Sequence, residues 1–152
     1  MKRKKQKRSV GDIVSIQIGD NSYAYGWVLE EPLVAFFDYK CDVMSPDLST
    51  VLNKPVAFRI WVMNHAITSG NWPILGNKTP PPHLLSAPVF YKQDSLTGKY
   101  YITYDGSEEI PSTAKDCENI EPAAVWEPEH VVDRLIDHFA GRANRWLETL
   151  RL

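Results

Sequence analysis

The sequence lacks any hydrophobic run long enough to cross a membrane. A spanning helix needs about 20 consecutive apolar residues, and polar or charged residues interrupt every apolar stretch of this 152-residue chain well before that length. The basic N-terminus is also not followed by the short apolar segment of a secretory signal. We therefore expect a cytoplasmic protein without a membrane partner.

Cysteine is scarce, and there is no metal-binding motif. Cys41 and Cys117 lie far apart, and neither has a nearby residue of the type that binds metals. Two cysteines are too few for a disulfide framework. The four histidines show none of the spacings of zinc sites. The sequence predicts two free thiols, no metal and no cofactor.

Catalytic and nucleotide-binding motifs are also missing. The chain has no serine nucleophile turn, no dinucleotide-binding glycine loop and no phosphate-binding glycine-lysine loop. The carboxylate pairs Glu30–Glu31 and Glu108–Glu109 stand beside turn residues, where solvated side chains are expected. A hydrolase built on Cys41 or Cys117 is an alternative without a supporting local motif. We predict that the protein is not an enzyme.

Positive charge is absent from residues 11–39 and concentrated at the N-terminus. Residues 1–8 hold six of the 17 Lys and Arg, which leaves 11 bases against 19 acids, a net charge of −8, in the rest of the chain. We predict a basic disordered tail at residues 1–9 and a single domain at residues 10–152. An acidic domain repels nucleic acid. The alternative of a small nucleic-acid-binding barrel that uses the tail and the aromatics at 23–27 stays open.

The periodicity of the chain predicts a mainly antiparallel β protein. Apolar and polar residues alternate from Ile13 to Ile18, and a Gly-Asp-Asn-Ser turn precedes alternating aromatics, as in a β-hairpin. The predicted elements, in chain order, are strands at 13–18 and 23–29, a doubly buried strand at 33–38, a short helix that Ser45 caps and Asn53 ends, a strand at 55–63, an irregular stretch at 64–87, a hairpin at 89–92 and 99–104, an acidic connector at 105–122, a short strand at 123–126 and a helix from Pro128 to about Leu150.

The last of these elements carries an apolar stripe at helical spacing. Its members are Val132, Leu135, Ile136, Phe139, Ala143, Trp146, Leu147 and Leu150. Gly141 is expected to weaken or kink the helix near its centre. Short strands followed by one late helix predict an α+β fold: a small, strongly bent antiparallel sheet or SH3-like barrel with one long C-terminal helix.

Two regions are candidates for binding a partner. The acidic segment at 105–121 has Lys115 as its single base, and its acids are Asp105, Glu108, Glu109, Asp116, Glu118 and Glu121. Asn64 and His65 follow a strongly apolar strand, and Trp72 lies in the unusual stretch after them. Ordinary solvation explains an acidic run, and a packed corner explains the second group. Complementary charge would equally suit a basic protein partner.

Several stretches resemble the immunity protein 26 family. They are VGDIVSIQIGDNSYAYGWVL, PLVAFFD, PVAFRIWVMNHAI, GNWPILG and AAVWEPEHVVDRLIDHF, in that order, over most of residues 10–140. The resemblance implies a bacterial protein, encoded beside a polymorphic toxin, that binds and neutralises a cognate toxin domain. It implies no catalytic residue and no cofactor. The matching positions Asn64, His65 and Trp72 could be toxin contacts or determinants of the fold.

Overall fold

The computed structural model describes residues 4–104 and 107–151, which form two β-sheets and five helices. The strands are β1 (Asp12–Gly19), β2 (Ser22–Val28), β3 (Leu33–Cys41), β4 (Val56–Val62), β5 (Ile74–Asn77), β6 (Phe90–Gln93), β7 (Tyr100–Thr103), β8 (Ile110–Ser112), β9 (Glu121–Pro122) and β10 (Val125–Trp126). The helices are α1 (Leu48–Leu52), α2 (His65–Thr68), α3 (Pro82–Leu85), α4 (Pro128–Ala140) and α5 (Arg145–Leu150).

The first sheet has six strands in the order β10-β4-β3-β2-β1-β5. All neighbours are antiparallel except β10 and β4. The predicted first hairpin is confirmed, with Ile16 of β1 opposite Ala24 of β2. Gly26 allows close packing in β2, because a Cβ atom there would lie 3.2 Å from both Val14 Cγ2 and Val34 Cγ1.

Strand β3 is buried on both faces, as its apolar run predicts. Val34 and Phe36 belong to one hydrophobic cluster, and Ala35 and Phe37 belong to another. Because successive side chains of a strand point to opposite faces, the two clusters lie on the two sides of the first sheet. Helix α4 packs into the first cluster, and strand β6 of the second sheet packs into the second.

The second sheet has four strands in the order β8-β7-β6-β9. The predicted second hairpin is confirmed, with Tyr91 opposite Ile102. The acidic connector predicted at 105–122 is wrong in part, because it contains β8 and β9. Strand β9 pairs in parallel with β6, and β10 pairs in parallel with β4. Residues 121–126 therefore join both sheets.

Two other predictions of local structure are corrected. Helix α1 is capped by Asp47, whose side chain accepts a hydrogen bond from the Ser49 amide, and not by Ser45. The stretch 64–87 is not irregular throughout, because it contains α2, β5 and α3. Strand β5 pairs with β1, with Gly76 opposite Ile13. This pairing joins segments about 60 residues apart, which local periodicity does not report.

The C-terminal helix begins at Pro128 as predicted but ends at Ala140. Gly141 adopts a left-handed conformation with φ of 69° and acts as the C-cap. A second helix, α5, starts after Asn144, whose side chain accepts a hydrogen bond from the Leu147 amide. Most of the predicted apolar stripe packs into the first cluster, but Ala143 and Leu150 are exposed because the helix reverses before them.

The α+β class is confirmed, and of the two predicted architectures the open sheet is observed. Neither sheet closes into a barrel within residues 4–104 and 107–151. None of the helices in these ranges has the length and apolarity to cross a membrane.

The described part of the N-terminal tail lies against the domain. The Gln6 amide group donates to the carbonyls of Ile67 and Trp72 at 2.8 and 2.9 Å, and its oxygen accepts from the Ile74 amide at 2.9 Å. Arg8 donates to the Leu33 carbonyl at 2.9 Å. Disorder of residues 1–9 stays a prediction, and these contacts count against it for residues 6–8. The single domain at 10–152 also stays a prediction.

Candidate functional site

Asn64 and His65 bring together carboxylates from two separate loops. They follow β4, where the chain turns into α2. The Asn64 amide donates to Glu31 Oε1, and His65 Nε2 lies 3.6 Å from Glu127 Oε2. Glu31 belongs to the β2–β3 loop, and Glu127 precedes α4. We call this surface, formed by Glu30, Glu31, Asn64, His65 and Glu127, the acidic corner.

The acidic corner is accessible, although its groups contact one another. The side chains of His65 and Glu127 are 53% and 47% exposed, so their contact is open to water. The Oδ1 atom of Asn64 is buried and has no hydrogen-bond partner among the described residues. Because Glu30, Glu31 and Glu127 are all exposed, their carboxylates can meet the positive charge of another molecule.

One cation of the chain lies beside this surface. The guanidinium of Arg8 is partly buried, and this burial lowers its pKa, while the charges of Glu31, Asp12 and Glu30 act in the opposite direction. These carboxylates thus stabilise the protonated form of Arg8. The tail therefore neutralises part of the charge of Glu30 and Glu31.

Trp72 lies in the core, away from solvent. Its side chain is 3% exposed and meets Phe36 edge to face, with ring centroids 5.8 Å apart. Its amide donates to the Ala66 carbonyl at 3.0 Å. This burial indicates a role in the fold, and a direct contact between Trp72 and a partner stays a prediction.

The described acids of the 105–121 segment have different surroundings, and Asp105 lies outside the described residues. Glu108 and Glu109 are exposed before β8, and Glu109 pairs with Lys92 at 3.2 Å. Asp116 and Glu118 are exposed on either side of the buried Cys117, between β8 and β9. The exposed members are therefore accessible to another molecule, and their role as partner contacts stays a prediction.

Glu121 has a buried partner within the chain, Arg134. Its two oxygens accept hydrogen bonds from the guanidinium of Arg134 at 2.8 and 2.6 Å. Arg134 is 7% exposed, and its guanidinium carbon lies 3.9 Å from the centroid of the Phe58 ring. A bidentate pair of this kind holds both side chains. Glu121 therefore links β9 to α4, and its role as a partner contact stays a prediction.

An apolar groove of about 370 Å³ adjoins the acidic corner. Its wall includes Leu33, Trp61, Leu85, Tyr104 and Val125, and Glu30 and Glu31 lie at its side. Tyr104 and Val125 are both 51% exposed, and Leu85 is 38% exposed. Exposed apolar groups gathered beside charged ones are typical of a protein-binding surface.

Sequence reasoning missed the role of Glu30, Glu31 and Glu127, and it did not find the groove. The sequence predicts Glu30 and Glu31 only as solvated turn residues. The structure brings the three acids together by strand pairing: the start of β3 meets the end of β4, with Leu33 opposite Trp61, and β10, which precedes Glu127, pairs with β4 at Val62. Because β3 and β4 are antiparallel, the residues that precede β3 lie beside the residues that follow β4.

The two cysteines have neighbours that suit packing. Cys41 Sγ lies 3.1 Å from the Tyr25 hydroxyl, and Cys117 Sγ lies 3.7 Å from the Ser112 hydroxyl. Burial, followed by the contact with Cys41, raises the pKa of the Tyr25 phenol. Among the residues the structure describes, no three His, Cys, Asp or Glu side chains are grouped so as to hold a metal ion.

Comparison with known proteins identifies a family for this chain. The model of a family described as immunity protein 26 matches residues 9–102. The match includes Glu30, Glu31, Asn64, His65 and Trp72, and it ends before the acids of the 105–121 segment. No curated protein and no solved structure matches the chain.

Proposed function

The chain belongs to the immunity protein 26 family, and from this membership we propose that it binds a cognate bacterial toxin domain and neutralises it by covering its active cleft. Immunity proteins as a class confer protection and have a toxin as their partner, and they are generally not enzymes. The proposal adds the mode of action, which is occlusion by the loops of the acidic corner in the cytoplasm of the producing cell.

The observation that carries this mode is the acidic corner. Loops that are far apart in sequence place Glu31 and Glu127 on one accessible surface, around Asn64 and His65. The domain that presents them has a net charge of −8 outside residues 1–8. Complementary charge accelerates encounter with a basic surface and disfavours wrong partners. A nuclease toxin would offer such a surface, and the carboxylates would occupy the positions of nucleic-acid phosphates.

The nucleic-acid alternative is not favoured. A binding face for single strands needs accessible aromatic side chains on which bases can stack. Tyr25 is fully buried, and Trp27 is 6% exposed and donates its indole N–H to the carbonyls of Gly11 and Lys78. Tyr25 and Trp27 are therefore part of the second hydrophobic cluster and give bases no access to their rings, and Tyr23 is half-buried against the same cluster.

The proposal is tested with the toxin domain encoded beside the gene for this chain. Co-expression of the chain should restore growth of cells that express that toxin domain, and the purified proteins should form a stoichiometric complex. Absence of both protection and complex formation would overturn the proposed function.

A charge-reversal experiment tests the electrostatic part separately. The double variant Glu30→Lys/Glu127→Lys, at two exposed positions of the acidic corner, should associate with the toxin domain about tenfold more slowly at low salt, with a weaker dependence on salt, because the attraction is reduced. The control is Asp42→Lys/Glu148→Lys, which makes the same change of charge at exposed positions away from the acidic corner. Stopped-flow fluorescence measures the rates. Equal rates for the two double variants would contradict a local electrostatic role.

A further inference from the structure

The apolar groove lies where three parts of the chain meet. The start of β3 supplies Leu33, the paired strands β4 and β10 supply Trp61 and Val125, and Tyr104 follows directly after β7. These side chains come from both sheets, so the groove exists only in the folded domain. Its volume of about 370 Å³ is near the lower end of the range for ligand pockets. That size suits one large side chain of a partner better than a cofactor.

The carboxylates beside the groove favour a positively charged ligand. Glu30 and Glu31 line one side, and Tyr104 is the residue directly before the acidic 105–121 segment. Arg8 is a cation near Glu30 and Glu31, and it offsets part of their charge. An entering group that carries positive charge next to an apolar body therefore complements the groove better than a neutral or acidic one.

We propose that this groove is the anchor site for the toxin, and that it takes an aromatic or large aliphatic toxin side chain flanked by a Lys or Arg that lies against Glu30 and Glu31. This inference rests on the proposed function. Binding energy at protein interfaces concentrates in a few central apolar anchors that are surrounded by polar groups. The groove supplies the apolar centre of such an interface, and the acidic corner supplies its charged rim.

The first test is the affinity for the adjacently encoded toxin domain, measured by calorimetry. The variant Tyr104→Ala/Val125→Thr removes apolar surface from the groove and keeps a β-branched residue in β10. Its control is Leu96→Ala, which removes an apolar side chain that is 95% exposed in the turn between β6 and β7. We expect Kd to rise at least tenfold in the groove variant and less than twofold in the control. Thermal unfolding of each variant separates lost binding from lost folding.

The outcomes distinguish the two proposals. A wild-type chain that does not bind the toxin domain overturns the proposed function. A wild-type chain that binds, together with a folded groove variant of unchanged Kd, overturns the anchor inference alone. Light scattering tests whether a second copy of this chain occupies the groove instead. If the wild type is a dimer and the groove variant is a monomer, the groove is a dimer interface, and the inference is overturned.

A second test needs no toxin, because it uses small probes with the expected chemistry. Tryptamine has an apolar ring with a positive amine, and indole-3-acetate has the same ring with a negative carboxylate. In NMR titrations, tryptamine should shift the resonances of Trp61, Tyr104 and Val125 at concentrations at least fivefold lower than indole-3-acetate does. The variant Glu30→Gln/Glu31→Gln should remove most of this difference. Equal response to both probes, or shifts concentrated elsewhere, would contradict the inference.

Discussion

At the scale of the residue, the two members of the Glu121–Arg134 pair are not equivalent to surface charges. Arg134 is almost fully buried between the rings of Phe58 and Trp126, at 3.9 and 5.1 Å from their centroids. Glu121 is the carboxylate that neutralises it. Removing one partner of a buried pair leaves the other charge without compensation, which costs more than the pair contributes. Glu121 therefore has a structural role, although it belongs to an acidic segment whose pattern predicts solvated side chains.

We predict that Glu121→Gln lowers the free energy of unfolding by about 3 kcal/mol, because it leaves the Arg134 charge buried and unpaired. The matched control is Glu118→Gln, an exposed acid three residues earlier, which should change stability by less than about 0.5 kcal/mol. Urea unfolding followed by tryptophan fluorescence measures both values. Similar losses for the two variants would show that the pair has no special role.

Another carboxylate, Asp94, organises the turn between β6 and β7. Its Oδ1 accepts hydrogen bonds from the amides of Leu96 and Thr97 at 2.8 and 2.9 Å. These bonds, first that of Thr97 and then that of Leu96, hold the pKa of Asp94 below its usual 3.8. Bonds to the charged form favour that form.

The sign of the resulting pH dependence follows from this lowered pKa. Asp94 binds protons less readily in the folded chain than in the unfolded chain, so its contribution is complete above pH 3.8 and is lost as the pH falls through the lower, folded-state pKa. The stability difference between the wild type and Asp94→Ala should therefore be largest at neutral pH and shrink in acid. Urea unfolding of the wild type and Asp94→Ala at neutral pH and at acidic pH tests this. A stability difference between them that is the same at both would contradict it.

At the scale of the element, the helix reversal at Gly141 depends on a backbone conformation that other residues disfavour. Its φ is 69°, and no heavy atom lies within 4 Å of the position that a Cβ would take. A substitution therefore meets no steric contact with neighbours, and its cost comes from the backbone alone. The reversal also brings Trp146 of α5 over His130 of α4, with ring centroids 3.6 Å apart.

We predict that Gly141→Ala lowers the free energy of unfolding by about 1–2 kcal/mol, since a left-handed conformation costs a residue with a Cβ about that much. Gly141→Asn should cost less, because asparagine tolerates this conformation better. Thermal or urea unfolding measures both. If the alanine variant were as stable as the wild type, α4 would extend through residue 141 as the sequence pattern predicts.

Elements with a strong local period were predictable, and elements made by distant pairing were not. The alternation at 13–18 predicts a strand buried on one face, and the apolar run at 33–38 predicts a strand buried on both faces. The structure has β1 and β3 at these positions. Strand β5 has four residues and forms because β1 offers it an edge, with Gly76 opposite Ile13. No property of residues 74–77 alone indicates that edge. The same reason explains the missed acidic corner, whose carboxylates are brought together by the pairing of β4 with β3 on one side and with β10 on the other.

The break at residue 141 shows a different limit. The stripe from Val132 to Leu150 has helical spacing, and that spacing continues on both sides of the break. A glycine inside a helical pattern predicts either a weak point or a C-cap. In the structure Gly141 is the C-cap of α4, and two interactions stabilise the reversal that follows it. They are the N-cap of α5 by Asn144 and the contact of Trp146 with His130, and both form only when the chain reverses.

At the scale of the whole molecule, charge is divided between a basic tail and an acidic domain. The full chain has a net charge of −2, and the chain without residues 1–8 has −8. Arg8 is the tail residue that acts on Glu30 and Glu31. The tail therefore reduces the attraction between the acidic corner and a basic partner.

We predict that deleting residues 1–8 increases the association rate with a basic toxin domain a few-fold and steepens its salt dependence. The deletion should also lower stability, because the three hydrogen bonds of Gln6 are lost. Stopped-flow kinetics at several salt concentrations gives the rates, and the variant Lys5→Ala controls for removal of one exposed charge. A nucleic-acid-binding protein would respond in the opposite direction, with weaker binding after the deletion.

The segment 121–126 pairs with β6 through β9 and with β4 through β10. It is synthesised after the other described strands of the two sheets. Val125 is part of the groove wall. A nascent chain on the ribosome therefore lacks this wall until residues 121–126 have been translated. Competence to bind at the groove arises only after that point, so fragments that end before residue 121 should have no protective activity.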